Sequence, residues 1–295
     1  MTRLLATEGK GAFFETDYEI TPIDDDGIRV QSIMTGVCRS DIDMMKGNFG
    51  PLPLSMSGHE GLGQVIAMGP SVTDVELGDY VATRGEPAYA DEYNVRHNEY
   101  IRVPEAHPRY ILEPVACGIN VVEQAYEHIK NKTGKVAILG SGFLAYIAYN
   151  ILKSKTVTFD IDVLGTSNQE LWGDELKMVL GADRYSVIID LVGRYELGTD
   201  VLLENNAVIV DAVGKAVSKE EAQEQLWRAV TTIKPSPRTE GFYQCMKEAE
   251  WHVSCGTFNI DNFWTKGYDR DTEWEQAFAD GANRPKGYSR GYIVW

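Results

Sequence analysis

The chain lacks an excess of basic residues and long apolar runs. Its 28 lysines and arginines stand against 44 acidic residues, which gives a net charge of −16 at pH 7. Because binding to a phosphate backbone needs clustered Lys and Arg, this balance argues against a nucleic-acid partner. No segment approaches the ~18 consecutive apolar residues of a membrane span, so we expect no membrane partner either.

Paired cysteines are also missing. The four cysteines stand at positions 38, 117, 245 and 255 and form no C-x-x-C motif. Scattered thiols of this kind provide no disulfide framework and are typical of a reducing cytoplasm. The N-terminal stretch turns acidic early and contains no signal-peptide core. We therefore expect a cytoplasmic protein.

What is present fits an ordinary globular protein of two domains. The chain has 295 residues, of which 43% are hydrophobic, so it can bury a substantial core. Apolar and polar residues alternate over 27–34 and 63–68, a short run follows at 79–83, and 89–103 is rich in Tyr and Val. These short strands predict a small, partly open β-barrel in the N-terminal third.

The middle of the chain has a strand–turn–helix pattern. Residues 134–139, GKVAIL, form an almost continuously apolar strand of the kind buried in a parallel sheet. It runs directly into the G-x-G-x-x-A motif made by Gly140, Gly142, Phe143, Leu144 and Ala145. Glycines at such a junction let backbone N–H groups approach a pyrophosphate at a helix N-terminus. Alone the motif is weak, since a bare strand–turn–helix junction has the same pattern.

The residues richest in chemistry are Cys38, His59 and Glu60. A thiolate, an imidazole and a carboxylate form the ligand set of a catalytic zinc that keeps one position open for substrate. Asp41 follows the cysteine closely and could orient His59 from behind, as ligating imidazoles usually require. Glycines at 58, 61 and 63 would let the backbone pass close to the metal.

The phrase G-H-E-G-x-G behind a C-x-S-D turn, with G-x-G-x-x-A about 80 residues later, resembles the zinc-dependent medium-chain dehydrogenase/reductase family of alcohol, polyol and threonine dehydrogenases. The resemblance covers nearly the whole chain. It implies an α/β protein with a GroES-like, partly open β-barrel catalytic domain over 1–118 and 239–295. A Rossmann-type parallel-sheet domain would occupy 119–238, with later strands at 186–192, 207–213 and 230–235.

The resemblance also assigns roles. Ser40 matches the hydroxyl that relays the substrate proton, although a Ser beside an Asp is often only a turn residue. Glu113 matches a glutamate near the zinc in polyol-type members, and it also suits the N-terminus of a helix. Glu60 is either a direct ligand or a neighbour that exchanges onto the metal. Arg39 matches a basic residue against the cofactor pyrophosphate, or it is an exposed salt-bridging arginine.

Two family features are shortened here. Only residues 84–88 stand where relatives carry a four-cysteine lobe for a structural zinc, so we expect one zinc per chain. Gly181-Ala182-Asp183, which usually closes the helix after the second strand of the nucleotide-binding sheet, is followed almost at once by the apolar run at 186–192. A further βα unit would need about 25 residues. We therefore expect the sheet to be trimmed at the edge that flanks the adenine pocket.

The choice of nicotinamide cofactor depends on the end of that second strand. Counting from the glycines places Gly165, Thr166 and Ser167 at the ribose, where NAD-preferring proteins have an acidic residue. No carboxylate is present there, which favours NADP. If the strand ends earlier, Asp160 or Asp162 takes that place and favours NAD.

The sequence thus predicts a zinc-dependent oxidoreductase that transfers a hydride between an alcohol or polyol, or its carbonyl product, and NAD(P). By family analogy it would be a homodimer or tetramer. The alternative is a dinucleotide- and zinc-binding protein that has lost turnover and serves a binding or regulatory role. Retention of the site residues argues against that alternative, whereas the missing βα unit argues for it.

Overall fold

The computed structural model describes residues 1–155, 159–172, 176–177, 184–193, 203–214 and 216–295. Among the described residues, no helix combines the length and the apolar composition that crossing a membrane requires. The strands are, in chain order, β1 (Thr2–Thr7), β2 (Phe13–Tyr18), β3 (Ile28–Gly36), β4 (Gly61–Met68), β5 (Tyr80–Thr83), β6 (Glu92–Val95), β7 (Tyr100–Val103), β8 (Lys135–Leu139), β9 (Asp160–Leu164), β10 (Leu176–Lys177), β11 (Tyr185–Asp190), β12 (Leu203–Asp211), β13 (Thr231–Ile233), β14 (Trp264–Asp269) and β15 (Arg290–Val294).

The helices connect these strands and extend across the unit boundaries. The chain divides into two units, residues 1–114 with 246–295 and residues 115–245, whereas the sequence placed the boundaries at 118 and 239. Both boundaries fall inside helices, α2 and α6 of the following series. The α-helices are α1 (Arg39–Met45), α2 (Glu113–Ile129), α3 (Phe143–Lys155), α4 (Gln169–Trp172), α5 (Lys219–Trp227), α6 (Phe242–Ser254) and α7 (Trp274–Asn283).

The first unit is built on a seven-stranded sheet. Its strands follow the order β14-β15-β3-β4-β5-β7, and β6 pairs with β3 beside this path. The long strand β3 pairs with β6 through its first half and with β15 through its last residues. The alternating runs of the N-terminal third therefore form strands, and the C-terminal strand joins them, in agreement with the GroES-like barrel expected from the resemblance.

An aromatic cluster joins helix α7 to the hairpin β1–β2 and to the turn at Tyr89. Phe13 of β2 stacks on Phe278 of α7 with ring centroids 3.7 Å apart and planes at 5°. Tyr89 packs edge-on against both rings, at 5.8 Å and 5.3 Å. All three side chains are buried. Gly281 lets α7 approach further, because a Cβ there would lie 2.9 Å from Cγ1 of Val37.

The second unit is an all-parallel sheet in the order β10-β9-β8-β11-β12-β13. Its central strands are short apolar runs, and every residue of β11 is buried, as parallel strands covered on both faces require. The strand order reverses between β8 and β11, and α3 follows β8 directly. This is the Rossmann-type arrangement, in which ligands bind at the carboxyl ends of the strands near the reversal.

The outer edge beyond β9 is described only in part. Leu176 and Lys177 of β10 pair in parallel with β9, and Gln169–Trp172 of α4 are helical. Residues 173–175 and 178–183, which include the Gly181-Ala182-Asp183 triplet, lie outside the described part of the chain. The trimmed edge therefore stays a prediction.

Several elements carry no pattern from which the sequence predicted them. The hairpin β1–β2 and strand β14 are examples. In β14 two buried aromatic residues, Trp264 and Tyr268, enclose three exposed ones, so the alternation of a half-buried strand is absent. The extended conformation of β14 is therefore determined by its pairing with β15.

Removing the Phe278 ring should destabilise the first unit. We expect Phe278→Ala to lower the free energy of unfolding by about 3–5 kcal/mol, because a large buried ring leaves a cavity. Leu77→Ala, at a side chain that is 64% exposed, is the control and should change it little. Urea denaturation followed by tryptophan fluorescence measures both, and equal effects of the two variants would contradict the role of the cluster.

Candidate metal centre and nucleotide-binding loop

Three potential metal ligands converge in the first unit. Cys38 stands at the N-terminal end of α1, while His59 and Glu60 lie just before β4. One ligand atom from each residue lies within 4.8 Å of the others. The donor chemistry of this group, thiolate, imidazole and carboxylate, fits a zinc ion with three protein ligands and an open position.

Asp41 fixes the orientation of His59. Its Oδ1 lies 3.5 Å from His59 Nδ1, which leaves Nε2 of the imidazole for a metal. The other carboxylate oxygen, Oδ2, accepts hydrogen bonds from the Cys38 backbone N–H at 3.1 Å and from the Tyr89 hydroxyl at 2.8 Å. Asp41 is fully buried, so its position is set by these contacts. One carboxylate therefore connects both potential ligands.

Tyr89 helps to hold Asp41 in position. Its hydroxyl oxygen also lies 3.0 Å from the carbonyl oxygen of Gly36, so that the two acceptors share one proton. Burial and the neighbouring charge of Asp41 raise the pKa of Tyr89 well above its ordinary value, so the hydroxyl remains a donor. The sequence marked Tyr89 only as part of a strand region. A tyrosine in an alternating run looks like a core residue, so its contact with Asp41 had no sequence signal.

Glu60 is held by an arginine from the far end of the chain. Arg290 Nη2 donates to both carboxylate oxygens, at 2.6 Å and 2.5 Å. The guanidinium group also lies over the ring of Trp264, 4.9 Å from its centroid. The Glu60 side chain is fully buried and that of Arg290 is 12% exposed. The sequence analysis did not single out Arg290, and only the need of a buried carboxylate for a cation could have suggested such a partner.

The protonation equilibria of the centre reflect its charges. Burial and the negative charge of Glu60 raise the pKa of the Cys38 thiol. Burial opposes a charge on His59, but Asp41 and Cys38 raise the pKa of this imidazole well above its usual value. Burial likewise opposes the charge of Arg290, and Glu60 and Cys38 outweigh it and raise that pKa. A bound divalent cation would favour the thiolate and the neutral imidazole instead.

The glycines near His59 serve the protein interior. A Cβ at Gly58, which has φ +77°, would come within 2.6 Å of the Tyr89 ring. A Cβ at Gly61 would lie 2.2 Å from the hydroxyl of Tyr93. The sequence analysis expected these glycines to bring the backbone close to a metal. In the structure their missing side chains make room for two buried tyrosines.

Ser40 and Glu113 occupy different places relative to the three ligands. Ser40 Oγ lies 3.4 Å from His59 Nε2, so its hydroxyl faces the nitrogen that is left for a metal. Glu113 is buried at the first position of α2. It is not part of the group of three ligand atoms found among the described residues. Its negative charge is one of those that raise the pKa of Arg290.

Two further arginines belong to this part of the first unit. Arg39, the first residue of α1, lies 3.5 Å from Asp43 and its side chain is 53% exposed. Arg284 ends helix α7 with a left-handed backbone, φ +46°. It forms no ion pair or side-chain hydrogen bond with any residue that the structure describes. Partial burial and the charges of Arg290 and Arg39 lower the pKa of Arg284.

The glycine motif lies at the junction between β8 and α3 in the second unit. Gly140 has φ +118°, and its N–H donates to the carbonyl of Leu164 at 2.7 Å. A Cβ at Gly142 would meet nothing within 4 Å. Phe143, Leu144 and Ala145 form the first turn of the helix. The open space at Gly142 beside a helix N-terminus is suited to an anionic group.

The second strand ends where the sequence count placed its end. Strand β9 runs through Leu164, and Thr166 and Ser167 are exposed immediately after it. Asp162 lies within the strand and is buried, and its carboxylate accepts from the Tyr185 hydroxyl at 2.8 Å. Burial opposes its charge, but Lys177 and Tyr185 lower the pKa of Asp162. The alternative of an earlier strand end at Asp160 or Asp162 was therefore wrong.

Known proteins with similar sequences are dehydrogenases and reductases. The profile of the alcohol dehydrogenase GroES-like domain matches residues 24–148. The mitochondrial enoyl-[acyl-carrier-protein] reductase of Rattus norvegicus is 35% identical over 106 residues, 35% of this chain and 28% of that protein. The chain thus spans just over a quarter of the length of this relative. The D-arabitol-phosphate dehydrogenase of Enterococcus avium is 24% identical over 318 aligned positions, 89% of this chain and 88% of that protein.

Solved structures share the fold over the whole chain. The galactitol-1-phosphate dehydrogenase of Escherichia coli superposes with a TM-score of 0.77 at 15% identity, covering 99% of this chain and 100% of that one. Other structures with this fold contain NADH or NADPH. The domain match, the relative aligned over most of the chain and the shared fold agree with the motifs around Cys38 and Gly140. These findings support the resemblance of the chain to the medium-chain dehydrogenase/reductase family.

Proposed function

We propose that this protein is a zinc-dependent dehydrogenase that transfers a hydride between an alcohol or polyol, or its carbonyl product, and NAD(P). The observation that carries the proposal is the convergence of Cys38, His59 and Glu60 within 4.8 Å in a chain that resembles this family. Relatives that act on sugar-alcohol phosphates support the reaction type. Assembly as a homodimer or tetramer, expected from the family, stays a prediction.

The residues around the centre have separate tasks. Cys38, His59 and Glu60 would hold one zinc ion, and when bound it supplies a Lewis acid that favours the alkoxide and polarises the carbonyl. The nicotinamide, when bound, supplies or accepts the hydride. Asp41 lies beside Nδ1 of His59, so that Nε2 points away from Asp41. The Ser40 hydroxyl lies beside Nε2 and can pass on the proton of the substrate.

Arg290 defines what Glu60 can do. One nitrogen of Arg290 contacts both oxygens of the buried Glu60 carboxylate. The pair thereby places this carboxylate beside the two other potential ligands. This supports both roles that the sequence left open, a direct ligand or a neighbour that exchanges onto the metal.

The protein should bind one zinc per chain. We expect Cys38→Ser to lose the metal and the turnover of alcohols, because a hydroxyl is a much poorer zinc ligand than a thiolate. Cys255→Ser, at an exposed cysteine, is the control and should retain both. Metal analysis by mass spectrometry and an assay of alcohols and aldehydes with both cofactors measure these outcomes.

Two results of that experiment contradict the proposal in different ways. A protein without zinc, purified with Cys38 reduced, excludes the metal centre. A protein that binds zinc and cofactor but turns over no alcohol or aldehyde favours the alternative binding role, for which the trimmed edge expected from the sequence is the argument.

NADP is proposed as the preferred cofactor. Thr166 offers a hydroxyl group at the end of β9, and neither Thr166 nor Ser167 carries a negative charge that would repel a 2′-phosphate. The nearest acidic side chain of that strand, Asp162, is paired with Lys177 at 2.7 Å. Because no guanidinium group lies in the exposed turn 165–168, the preference should be modest.

Filling the glycine loop should abolish cofactor binding. In Gly142→Val the new side chain would occupy open space, so we expect a folded protein that no longer accepts the diphosphate. Gly241→Val is a matched control, since Gly241 also directly precedes a helix and faces open space. Calorimetric titration with NADPH and NADH measures both variants. Unchanged affinity in Gly142→Val would reduce the loop to a structural turn.

The substrate is proposed to carry a phosphate ester. A relative aligned over most of the chain acts on D-arabitol phosphate according to its name. In this chain, Arg284 lacks a carboxylate partner among the described residues. The charges of Arg290, Arg39 and Cys38 act on its pKa. Its left-handed backbone is a strained conformation for a residue with a side chain, which is common at functional sites. An anion would balance this positive charge.

Removal of the Arg284 charge should affect a phosphorylated and a free polyol differently. We expect the parent protein to prefer D-arabitol phosphate to D-arabitol. Arg284→Gln should raise KM for the phosphate ester roughly 10- to 100-fold, since hydrogen bonds to charged groups contribute about 1.5–3 kcal/mol, and leave the free polyol unaffected. Arg96→Gln, at a side chain 79% exposed, is the control. Equal losses for both substrates would exclude phosphate recognition by Arg284.

A further inference from the structure

One backbone carbonyl of the glycine motif has two side-chain partners. The carbonyl oxygen of Ser141 accepts from Asn168 Nδ2 at 2.8 Å and from Trp172 Nε1 at 3.0 Å. Both donors come from the stretch that follows β9. These three residues, which we call the Ser141 cluster, connect that stretch directly to the loop between Gly140 and Gly142.

The side chain of Ser141 strengthens the same connection. Its Oγ accepts from the backbone N–H of Ser167 at 3.1 Å and lies 2.9 Å from the Ser167 hydroxyl. The approach is close, because a Cβ at Gly165 would lie 2.3 Å from Ser141 Oγ. Asn168 itself has φ +56°, a conformation that Asn tolerates better than most residues. The turn after β9 is thus fixed onto the glycine loop at several points.

Packing holds the indole of Trp172 in place. Trp172 is 5% exposed and meets the rings of Tyr149 and Tyr146 of α3 edge-on, at 5.3 Å and 6.3 Å. Trp172 is the last described residue of α4. The position of the indole N–H therefore depends on α3, the helix that begins at the glycine motif.

The direction of the Ser141 carbonyl decides the direction of the next N–H. A trans peptide unit is planar, so the carbonyl of Ser141 and the N–H of Gly142 point to opposite sides. The Gly142 N–H donates to no residue that the structure describes. It precedes the first turn of α3, where free N–H groups and the helix dipole attract anions. Two donors on the carbonyl thus hold this N–H toward the open space at Gly142.

We propose that Trp172 and Asn168 are positioning residues for the cofactor: by holding the Ser141 carbonyl they orient the Gly142 N–H toward the diphosphate. Both donors lie in the stretch that follows β9. The inference rests on the proposed dinucleotide binding. This support should strengthen cofactor binding, because a protein whose binding conformation is only partly populated binds its ligand more weakly.

Two variants remove one donor each. Trp172→Phe retains an aromatic ring against Tyr146 and Tyr149 but lacks the indole N–H. Asn168→Gly removes the amide and tolerates the left-handed backbone. We expect each variant to raise Kd for both NADPH and NADH about three- to tenfold, the effect of one hydrogen bond. The ratio of the two Kd values should stay constant, because the diphosphate is common to both cofactors. Trp227→Phe, at a side chain 85% exposed in the same unit, is the control.

Calorimetric titration and the melting temperature without cofactor are measured for every variant. Unchanged Kd values in Trp172→Phe and Asn168→Gly overturn the proposal, even if the melting temperature falls, since that combination indicates a purely structural role. A loss for NADPH alone also overturns it, because the effect would then lie at the ribose. If the parent protein binds neither cofactor, the proposed function fails together with this inference, whereas a binding parent with unaffected variants removes the inference alone.

Discussion

The contact between Glu60 and Arg290 connects the candidate metal centre to the rest of the first unit. A fully buried carboxylate is costly unless a cation compensates it, and the compensating guanidinium comes from a residue 230 positions away. Arg290 opens β15, which pairs with β3 directly ahead of Cys38. The same strand thus lies between β14 and β3 in the sheet and supplies the guanidinium group that contacts Glu60.

The centre is a small set of charges that balance one another. Asp41 contacts both the imidazole of His59 and the backbone of Cys38, so one buried carboxylate sets two potential ligands. Tyr89 donates a hydrogen bond to Oδ2 of Asp41 and also packs into the aromatic cluster of Phe13 and Phe278. Through this tyrosine the positions of the potential ligands depend on the hydrophobic core. A substitution that loosens this core should therefore shift the potential ligands even when none of them is replaced.

In the second unit, side chains that follow β9 contact the glycine motif and the neighbouring strand. Lys177 binds Asp162, and Trp172 and Asn168 bind the carbonyl of Ser141. Such contacts are specific to individual side chains. Single substitutions at these positions should consequently change the position of the loop between Gly140 and Gly142.

The sequence by itself determined the resemblance to a family, the strands of both sheets that show regular patterns and the end of β9, because short-range periodicity and closely spaced motifs carry this information. It also brought Cys38, His59 and Glu60 forward as one group. Only the tertiary structure decided that Arg290 and Tyr89 complete that group and that Gly58 and Gly61 serve buried tyrosines. It also decided that Trp172 reaches Ser141. These contacts join residues far apart in the chain, and their side chains are those of ordinary core or surface positions until folding brings them together.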